Sequence, residues 1–194
     1  MAIIVVGGSG RGVGKTALVC GLITALTEFR WTAVKITSHN HGKSEAIWEE
    51  TEPAAGQGTD TARYLAAGAR RALLITAPEP CLPLDQLQNA LGHDANVIFE
   101  SNRIVNHLEP DLLKPDLLKP ALCLGVVGGP GMAIKGSFAA FLRRADALFA
   151  PMDDDLKLDQ LAPGTSLFQW TALGAISPAI VGWVRARLSL SRPS

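Results

Sequence analysis

One short glycine-rich stretch, residues 8–16, restricts the fold of this chain more than any other feature. It reads Gly-Ser-Gly-Arg-Gly-Val-Gly-Lys-Thr and closely follows an apolar, β-branched run at residues 3–6. Glycines let the backbone curve so that successive N–H groups point into one concavity, which a Cβ would obstruct. A buried strand that ends in such a turn and leads into a helix is typical of α/β proteins.

The residue types of this stretch, called the phosphate loop below, suit a nucleoside triphosphate with Mg²⁺. Lys15 can reach the β- and γ-phosphates, the Thr16 hydroxyl can bind Mg²⁺, and the dipole of the following helix attracts anions. Glycine usually stands five positions before the last glycine of such a loop, whereas this chain has Ser9 there and Gly8 one position earlier. We predict that the nucleotide is bound by the following consecutive residues: Ser9, Gly10, Arg11, Gly12, Val13, Gly14, Lys15, Thr16 and Ala17.

Strand-like and helix-like patterns alternate along the chain, which predicts one α/β domain over residues 1–194. A mostly parallel sheet flanked by helices, in three layers, follows from that alternation. The predicted strands are residues 3–6, 31–37, 72–76, 96–100, 121–127 and 146–150, and the predicted helices are residues 15–29, 60–69, 84–91, 136–144 and 178–190. Residues 38–58 are polar and without sustained periodicity, so we expect a long functional loop or lid there.

Charge and composition argue against several kinds of partner. The chain carries 18 basic and 18 acidic residues, a balance that gives no footprint for binding nucleic acid or an anionic membrane. Its first residues lack a basic region typical of a signal peptide, and the apolar stretch 171–184 is short for a membrane span and contains Pro178. Three scattered cysteines fit reduced thiols. We therefore expect a cytoplasmic protein.

A phosphate loop needs a carboxylate at the end of a neighbouring strand to orient the ligands of Mg²⁺. Glu100, which ends the apolar run 97–100, is the best candidate, and Asp60, which begins a helix after the long polar segment, is the second. We predict Thr16, Glu100 and Asp60 as metal ligands. Hydrolysis also needs a cation near the γ-phosphate, and Arg11 and Arg63 are the candidates besides Lys15.

His39 and His41 follow the second predicted strand, at the sheet edge where open α/β sheets bind ligands. Two histidines separated by one residue can ligate a transition metal or contact an anionic substrate. Because no third ligand stands at a convincing spacing, we favour substrate or phosphate contact, with a metal site as the alternative. Lys35 lies on the same strand and is the third predicted substrate residue.

Beyond the phosphate loop, the order of several segments resembles one family of P-loop proteins. Val34 and Lys35 precede the histidines, a helix begins Asp60-Thr61-Ala62-Arg63 and ends Ala67-Gly68-Ala69, and a later strand ends at Glu100. This order, over about residues 2–106, resembles MobB, the molybdopterin-guanine dinucleotide biosynthesis protein B. MobB is part of the P-loop class that includes the ParA/MinD ATPases, dethiobiotin synthetase and metal-chaperone GTPases.

The chain departs from these relatives at three places. Ser101 and Asn102 stand where MobB proteins usually carry glycine, and Gly10 stands where the ParA/MinD loop carries its signature lysine. The phosphate loop also has the length seen in dethiobiotin synthetase.

The resemblance implies an accessory protein of molybdenum cofactor biosynthesis that binds GTP with Mg²⁺ and hydrolyses it slowly. It also implies a protein partner of cofactor assembly, and a second copy of the chain is the other possible partner. From the chemistry of the site itself, we predict roles in hydrolysis for Lys15, Glu100 and Arg63. Two alternatives remain open: a stand-alone ligase or kinase of the dethiobiotin synthetase kind, and a metallochaperone NTPase that uses the two histidines.

The base of the nucleotide is not decided by the sequence. Lys157 and Asp159 have the Lys-x-Asp spacing that reads guanine in many GTPases, but Leu156 replaces the usual Asn or Thr. A solvated acidic loop explains these residues better, so GTP is favoured over ATP by the resemblance alone.

Overall fold

The computed structural model describes residues 2–38, 46–54, 58–78, 81–94, 96–108, 122–129, 136–151, 161–170 and 176–190. These residues form eight strands and five α-helices. The strands are β1 Ala2–Gly8, β2 Thr32–Thr37, β3 Ile47–Glu50, β4 Arg71–Thr76, β5 Asn96–Glu100, β6 Leu122–Val126, β7 Ala147–Ala150 and β8 Ser166–Gln169. The helices are α1 Lys15–Ala25, α2 Asp60–Ala66, α3 Leu84–Leu91, α4 Gly136–Leu142 and α5 Pro178–Leu190.

The eight strands form one sheet in the order β3-β4-β2-β5-β1-β6-β7-β8. Every neighbouring pair is parallel except β3 and β4, which are antiparallel. Because parallel strands need crossover connections, successive helices cover the two faces of the sheet. The predicted class, an α/β fold with a mostly parallel sheet, is confirmed.

Strand β1 shows why both faces are covered. All of its residues are buried, and its side chains alternate between two apolar cores. Ile4 and Val6 pack in the core with α1, α2 and α5, whereas Ile3 and Val5 pack in the core with α3 and α4. A strand that is apolar on both faces is typical of the centre of a parallel sheet. β1 therefore ends at the middle of the sheet edge, between β5 and β6.

The prediction of one long loop at residues 38–58 is wrong for residues 47–50. Strand β3, Ile47–Glu50, pairs with β4 in antiparallel register, and Trp48 lies opposite Leu74. The strand has no alternating apolar pattern because it lies at the edge of the sheet, where its side chains are only partly buried. Residues 39–45 and 55–57 lie outside the described part of the chain.

The end of the first helix also differs from its prediction. Helix α1 ends at Ala25 and not at Phe29, and a 3₁₀ turn at Thr27–Phe29 follows. The indole N–H of Trp31 donates to the Leu26 carbonyl at 3.0 Å, which satisfies the end of the helix and directs the chain into β2. The edge strand β8 was not predicted from the sequence. None of the helices in the described ranges has the length and apolar composition that a membrane span needs.

A candidate nucleotide and magnesium site at the carboxyl edge of the sheet

The phosphate loop connects the end of β1 to the start of α1. Gly12 has a φ of 76° and Gly14, the N-cap of α1, has a φ of 103°, values that side chains with a Cβ rarely allow. No side chain caps the first turn of α1, and that turn contains no acidic residue. The positive end of the helix dipole is therefore left for a ligand, as anion binding at a helix N-terminus requires.

Ser9, which replaces the usual glycine, joins the phosphate loop to the chain around β6. Its backbone N–H donates to the Val126 carbonyl at 2.9 Å, and its hydroxyl accepts from the Gly128 N–H at 2.9 Å. The residue is buried. These two contacts use the polar groups of Ser9 within the protein, so the residue fixes the position of the loop.

Lys15 lies across the phosphate loop. Its ammonium donates to the Gly10 carbonyl at 2.6 Å, so the side chain bends back over residues 10–14. This position places the cation beside the concave side of the loop, where the β- and γ-phosphates of a bound nucleotide would lie.

Four predicted site residues meet next to the phosphate loop and form what we call the carboxylate cluster: Thr16, Lys35, Asp60 and Glu100. The Thr16 Oγ1 lies 3.0 Å from Asp60 Oδ1 and 2.9 Å from Glu100 Oε2. The Lys35 ammonium lies 3.0 Å from Asp60 Oδ2 and also donates to Glu100 Oε1. Residues that are far apart in sequence thus share one network of charged hydrogen bonds.

Sheet register brings Lys35 and Glu100 together. The two residues are directly paired between β2 and β5, and Glu100 is also paired with Val6 of β1. In neighbouring parallel strands, paired residues point to the same face. The β5 carboxylate therefore lies between the β2 lysine and the end of the strand that begins the phosphate loop.

Asp60 reaches the cluster because it is the first residue of α2. Thr59 is the N-cap: its hydroxyl accepts from the Ala62 N–H at 3.1 Å and donates to the Glu50 carboxylate of β3 at 3.1 Å. The edge strand that the sequence analysis missed therefore supports the start of the helix that carries Asp60. Arg63, one turn further on, forms an ion pair with Asp60 at 3.8 Å.

Burial and charge together set the protonation states of Lys35 and Asp60. Burial by itself would lower the pKa of Lys35, but the charges of Glu100 and Asp60 outweigh it and raise that pKa above its ordinary value. Burial by itself would raise the pKa of Asp60, but the Lys35 ammonium keeps that pKa below its ordinary value. At neutral pH the lysine is therefore charged and the aspartate ionised.

Sequence reasoning missed Tyr64, a fully buried residue of α2. Its hydroxyl donates to Glu100 Oε2, the oxygen that Thr16 also contacts. Burial first, and then the charge of Glu100, raise the pKa of Tyr64 well above its ordinary value, so it stays a neutral donor. The available signal was its spacing of four residues from Asp60, which places both on one face of a helix.

Asn102 was also missed as a site residue, although its position was noted as a departure from MobB. Its side-chain oxygen accepts from the Gly8 N–H at 2.7 Å, and its side-chain nitrogen donates to the Gly8 carbonyl at 2.9 Å. One amide thus pairs with both backbone groups at the residue where β1 becomes the phosphate loop.

The oxygen atoms of the carboxylate cluster fit Mg²⁺, which prefers hydroxyl, carboxylate, phosphate and water oxygens. Thr16, Asp60 and Glu100 are the residues that would hold the ion, directly or through water. Within the described ranges, no group of three or more His, Cys, Asp and Glu side chains is placed to hold a metal ion. A metal at this position would therefore also need oxygens from a phosphate or from water.

Not all of the predicted site residues belong to this cluster. Arg11 is exposed on the phosphate loop, and Arg63 is partly exposed beside Asp60. His39 and His41 lie outside the described residues, as do Leu156, Lys157 and Asp159, so their predicted roles remain predictions.

Three solved structures are similar to this chain. HypB from Helicobacter pylori, in complex with nickel, is 16% identical with a TM-score of 0.59, over 100% of this chain and 90% of that one. A MobB homolog from Bacillus stearothermophilus is 16% identical with a TM-score of 0.47, over 98% and 99% of the two chains. LpxK from Aquifex aeolicus, in complex with ATP, is 16% identical with a TM-score of 0.50, over 94% of this chain and 60% of that one.

These likenesses concern the fold. No family model matches the chain, and no curated protein matches it by sequence. The three similar structures are all P-loop NTPases. HypB and LpxK carry this comparison: the chain shares their fold, and the predicted P-loop NTPase fold is confirmed.

Proposed function

We propose that this protein binds a nucleoside triphosphate with Mg²⁺ at the phosphate loop and hydrolyses it slowly. The observation that carries the proposal is the meeting of Thr16, Asp60 and Glu100 beside the loop that holds Lys15. The loop supplies backbone donors and a cation for the phosphates, and the cluster supplies oxygens of the kind that bind Mg²⁺. Both halves of such a site lie at the same edge of the sheet.

Each side chain has a role in this proposal. Lys15 binds the β- and γ-phosphates, and Thr16 with Glu100 orients the metal ligands, with Asp60 as the second carboxylate. The Mg²⁺ ion, when bound, neutralises phosphate charge and fixes the geometry of the phosphates. Arg63 is the candidate cation for the γ-phosphate, although its guanidinium is paired with Asp60 in this structure.

The expected nucleotide is GTP, and the expected setting is molybdenum cofactor assembly in the cytoplasm. Both expectations rest on the resemblance to MobB over about residues 2–106. Calorimetric titration with GTP and with ATP, each with and without Mg²⁺, tests the choice of nucleotide. Tighter binding of ATP would overturn the GTP proposal and leave the phosphate site intact.

The decisive variant for the phosphate site is Lys15→Ala. Loss of this cation should weaken triphosphate affinity about 10- to 100-fold, because a hydrogen bond to a charged group contributes roughly 1.5–3 kcal/mol. Calorimetry at fixed salt measures the change. Arg185→Ala is the control. It removes a cation of α5 that forms an exposed ion pair with Glu28, and this variant should bind triphosphate normally. Unchanged triphosphate affinity in Lys15→Ala would contradict the assignment of residues 8–16 as the segment that binds the phosphates.

Two further variants test the metal part of the proposal. Thr16→Ala and Glu100→Gln should weaken Mg²⁺-dependent binding or hydrolysis more than Mg²⁺-free nucleotide binding, because both residues act through the ion. Comparing titrations with Mg²⁺ and with a chelator separates the two effects. Normal hydrolysis by Glu100→Gln would make Asp60 the main carboxylate.

Slow turnover by the isolated protein is the last part of the proposal. Fast hydrolysis needs a cation on the γ-phosphate, which a partner often supplies, and here Arg63 is engaged by Asp60. The steady-state rate across protein concentrations, with GTP and with ATP, measures this. Slow turnover that rises with concentration would support a partner or second copy. Several turnovers per second at high dilution would instead favour a self-sufficient enzyme.

A further inference from the structure

The Lys35 ammonium lies between the two carboxylates that are proposed to hold the metal ion. It contacts Asp60 Oδ2 at 3.0 Å and Glu100 Oε1. The Lys35 side chain is 18% exposed and the Glu100 side chain 1% exposed, so water screens this contact weakly. The lysine therefore acts in this structure as the internal counter-ion of both acids.

The hydroxyl of Thr16 makes contacts that a nearby positive charge stabilises. It lies within hydrogen-bond distance of Asp60 Oδ1 and of Glu100 Oε2. A hydroxyl has one proton and can donate it to only one of these oxygens at a time. The other contact then brings two oxygen acceptors together, an arrangement that a positive charge stabilises.

An ammonium and a divalent cation would compete for the same two carboxylates. The ammonium contacts Asp60 Oδ2 and Glu100 Oε1, and Thr16 faces the other oxygen of each acid, so a metal bound beside Thr16 would lie close enough to the ammonium for strong repulsion. Removal of the ammonium with nothing in its place would in turn leave two neighbouring carboxylates that repel each other, with the more distant Arg63 beside Asp60 as weaker compensation. One cation at a time is the arrangement that the charges allow.

We infer that Lys35 is a resident counter-ion that keeps divalent cations out of the carboxylate cluster until a nucleotide binds. This inference rests on the proposed function, because the anionic phosphates give the ammonium another partner when the metal enters. Metal and nucleotide then bind cooperatively, and the protein without nucleotide holds Mg²⁺ poorly. Lys35 sets this order because its single positive charge is shared by the two carboxylates.

The test is a titration of the nucleotide-free, full-length protein with MnCl₂, followed by the electron paramagnetic resonance signal of free Mn²⁺. Wild type should bind Mn²⁺ weakly, and Lys35→Met should bind one Mn²⁺ at least tenfold more tightly. Arg63→Met is the control: it also removes a positive charge, but among the described residues that charge pairs with Asp60 alone, at 3.8 Å. Its gain in Mn²⁺ affinity should be much smaller. Adding Asp60→Asn to Lys35→Met should abolish the gain.

A folded Lys35→Met variant that binds Mn²⁺ no more tightly than wild type would overturn the inference. So would tight Mn²⁺ binding by wild type without nucleotide, a measurement that needs no variant and stands even if Lys35→Met does not fold. Because these titrations contain no nucleotide, they are independent of the Lys15→Ala test. Failure of the proposed function would instead appear as absent triphosphate binding in wild type.

Discussion

At the scale of single residues, the hydrogen bonds of the Glu100 side chain fix the geometry of the candidate site. Its carboxylate is almost fully buried, and three side chains donate to it: Thr16, Lys35 and Tyr64. A buried carboxylate is costly unless such donors satisfy it. Because Thr16 and Tyr64 both form hydrogen bonds with Oε2, the carboxylate is held in one orientation toward the phosphate loop. The tyrosine is thus a positioning residue for the proposed metal ligand.

Tyr64→Phe tests this role, since the change removes only the phenolic oxygen. Loss of a hydrogen bond to a charged group should lower the free energy of unfolding by roughly 1.5–3 kcal/mol. Urea denaturation measures that loss. If the tyrosine positions Glu100, Mg²⁺-dependent nucleotide binding should weaken more than Mg²⁺-free binding. Equal weakening of both would show that the hydroxyl matters for stability alone.

At the scale of elements, the end of β1 is held by a side chain as well as by neighbouring strands. The Asn102 amide pairs with both backbone groups of Gly8 and donates to the Ser137 hydroxyl near the start of α4. This pairing continues the hydrogen bonding of β1 beyond Val6, the last residue that pairs with β5. The first residue of the phosphate loop is therefore fixed by the segment that follows Glu100.

Asn102→Asp tests the pairing with little change in size. The carboxylate still accepts from the Gly8 N–H, but its second oxygen faces the Gly8 carbonyl, where the amide donated a hydrogen bond. We expect a loss of about 1–3 kcal/mol in the free energy of unfolding, the usual effect of an unsatisfied buried acceptor, together with weaker triphosphate binding.

The pH dependence of Asn102→Asp provides its control. A protonated carboxyl can donate to the Gly8 carbonyl again, so the loss should shrink as the pH falls, relative to wild type. Denaturation at several pH values measures this. A loss that is independent of pH would contradict the assigned pairing.

At the scale of the whole molecule, the two ends of the sheet have different tasks. The phosphate loop and the carboxylate cluster lie at the carboxyl ends of β1, β2 and β5, as ligand sites in open α/β sheets do. At the amino ends, the Asp94 carboxylate accepts from Thr32 at 2.8 Å and pairs with Arg71 at 2.8 Å and with Arg70. This buried carboxylate joins the starts of β2 and β4 to the chain that enters β5, at the opposite end of the strands from the proposed nucleotide site.

Asp94→Ala should therefore separate stability from binding. Its side chain is 8% exposed, but the two arginines are partly solvated, so we expect a loss of about 2 kcal/mol in the free energy of unfolding, below the range for fully buried pairs. Urea denaturation and triphosphate titration of the folded variant measure the two properties. Reduced triphosphate affinity in the folded variant would show that the two ends of the sheet are coupled.

The sequence by itself determined the central part of this protein. The phosphate loop, the β1–loop–α1 unit and the mostly parallel sheet follow from local chemistry, namely glycine freedom, helix dipoles and apolar periodicity. The acids Asp60 and Glu100 were also foreseen as separate candidates, because each stands at the end of an element with a clear pattern.

Only the tertiary structure decided how these residues meet. The pairing of Lys35 with Glu100 depends on the register of β2 against β5, and the contacts of Tyr64 and Asn102 depend on side chains that are distant in sequence. The edge strands β3 and β8 have short, partly buried patterns that carry little periodic signal. Local sequence sets the backbone preference and the apolar faces of each element, whereas packing of the whole sheet sets which charges come into contact. For this reason Lys35 could be predicted as a cation at this edge of the sheet, but not as the counter-ion of two acids.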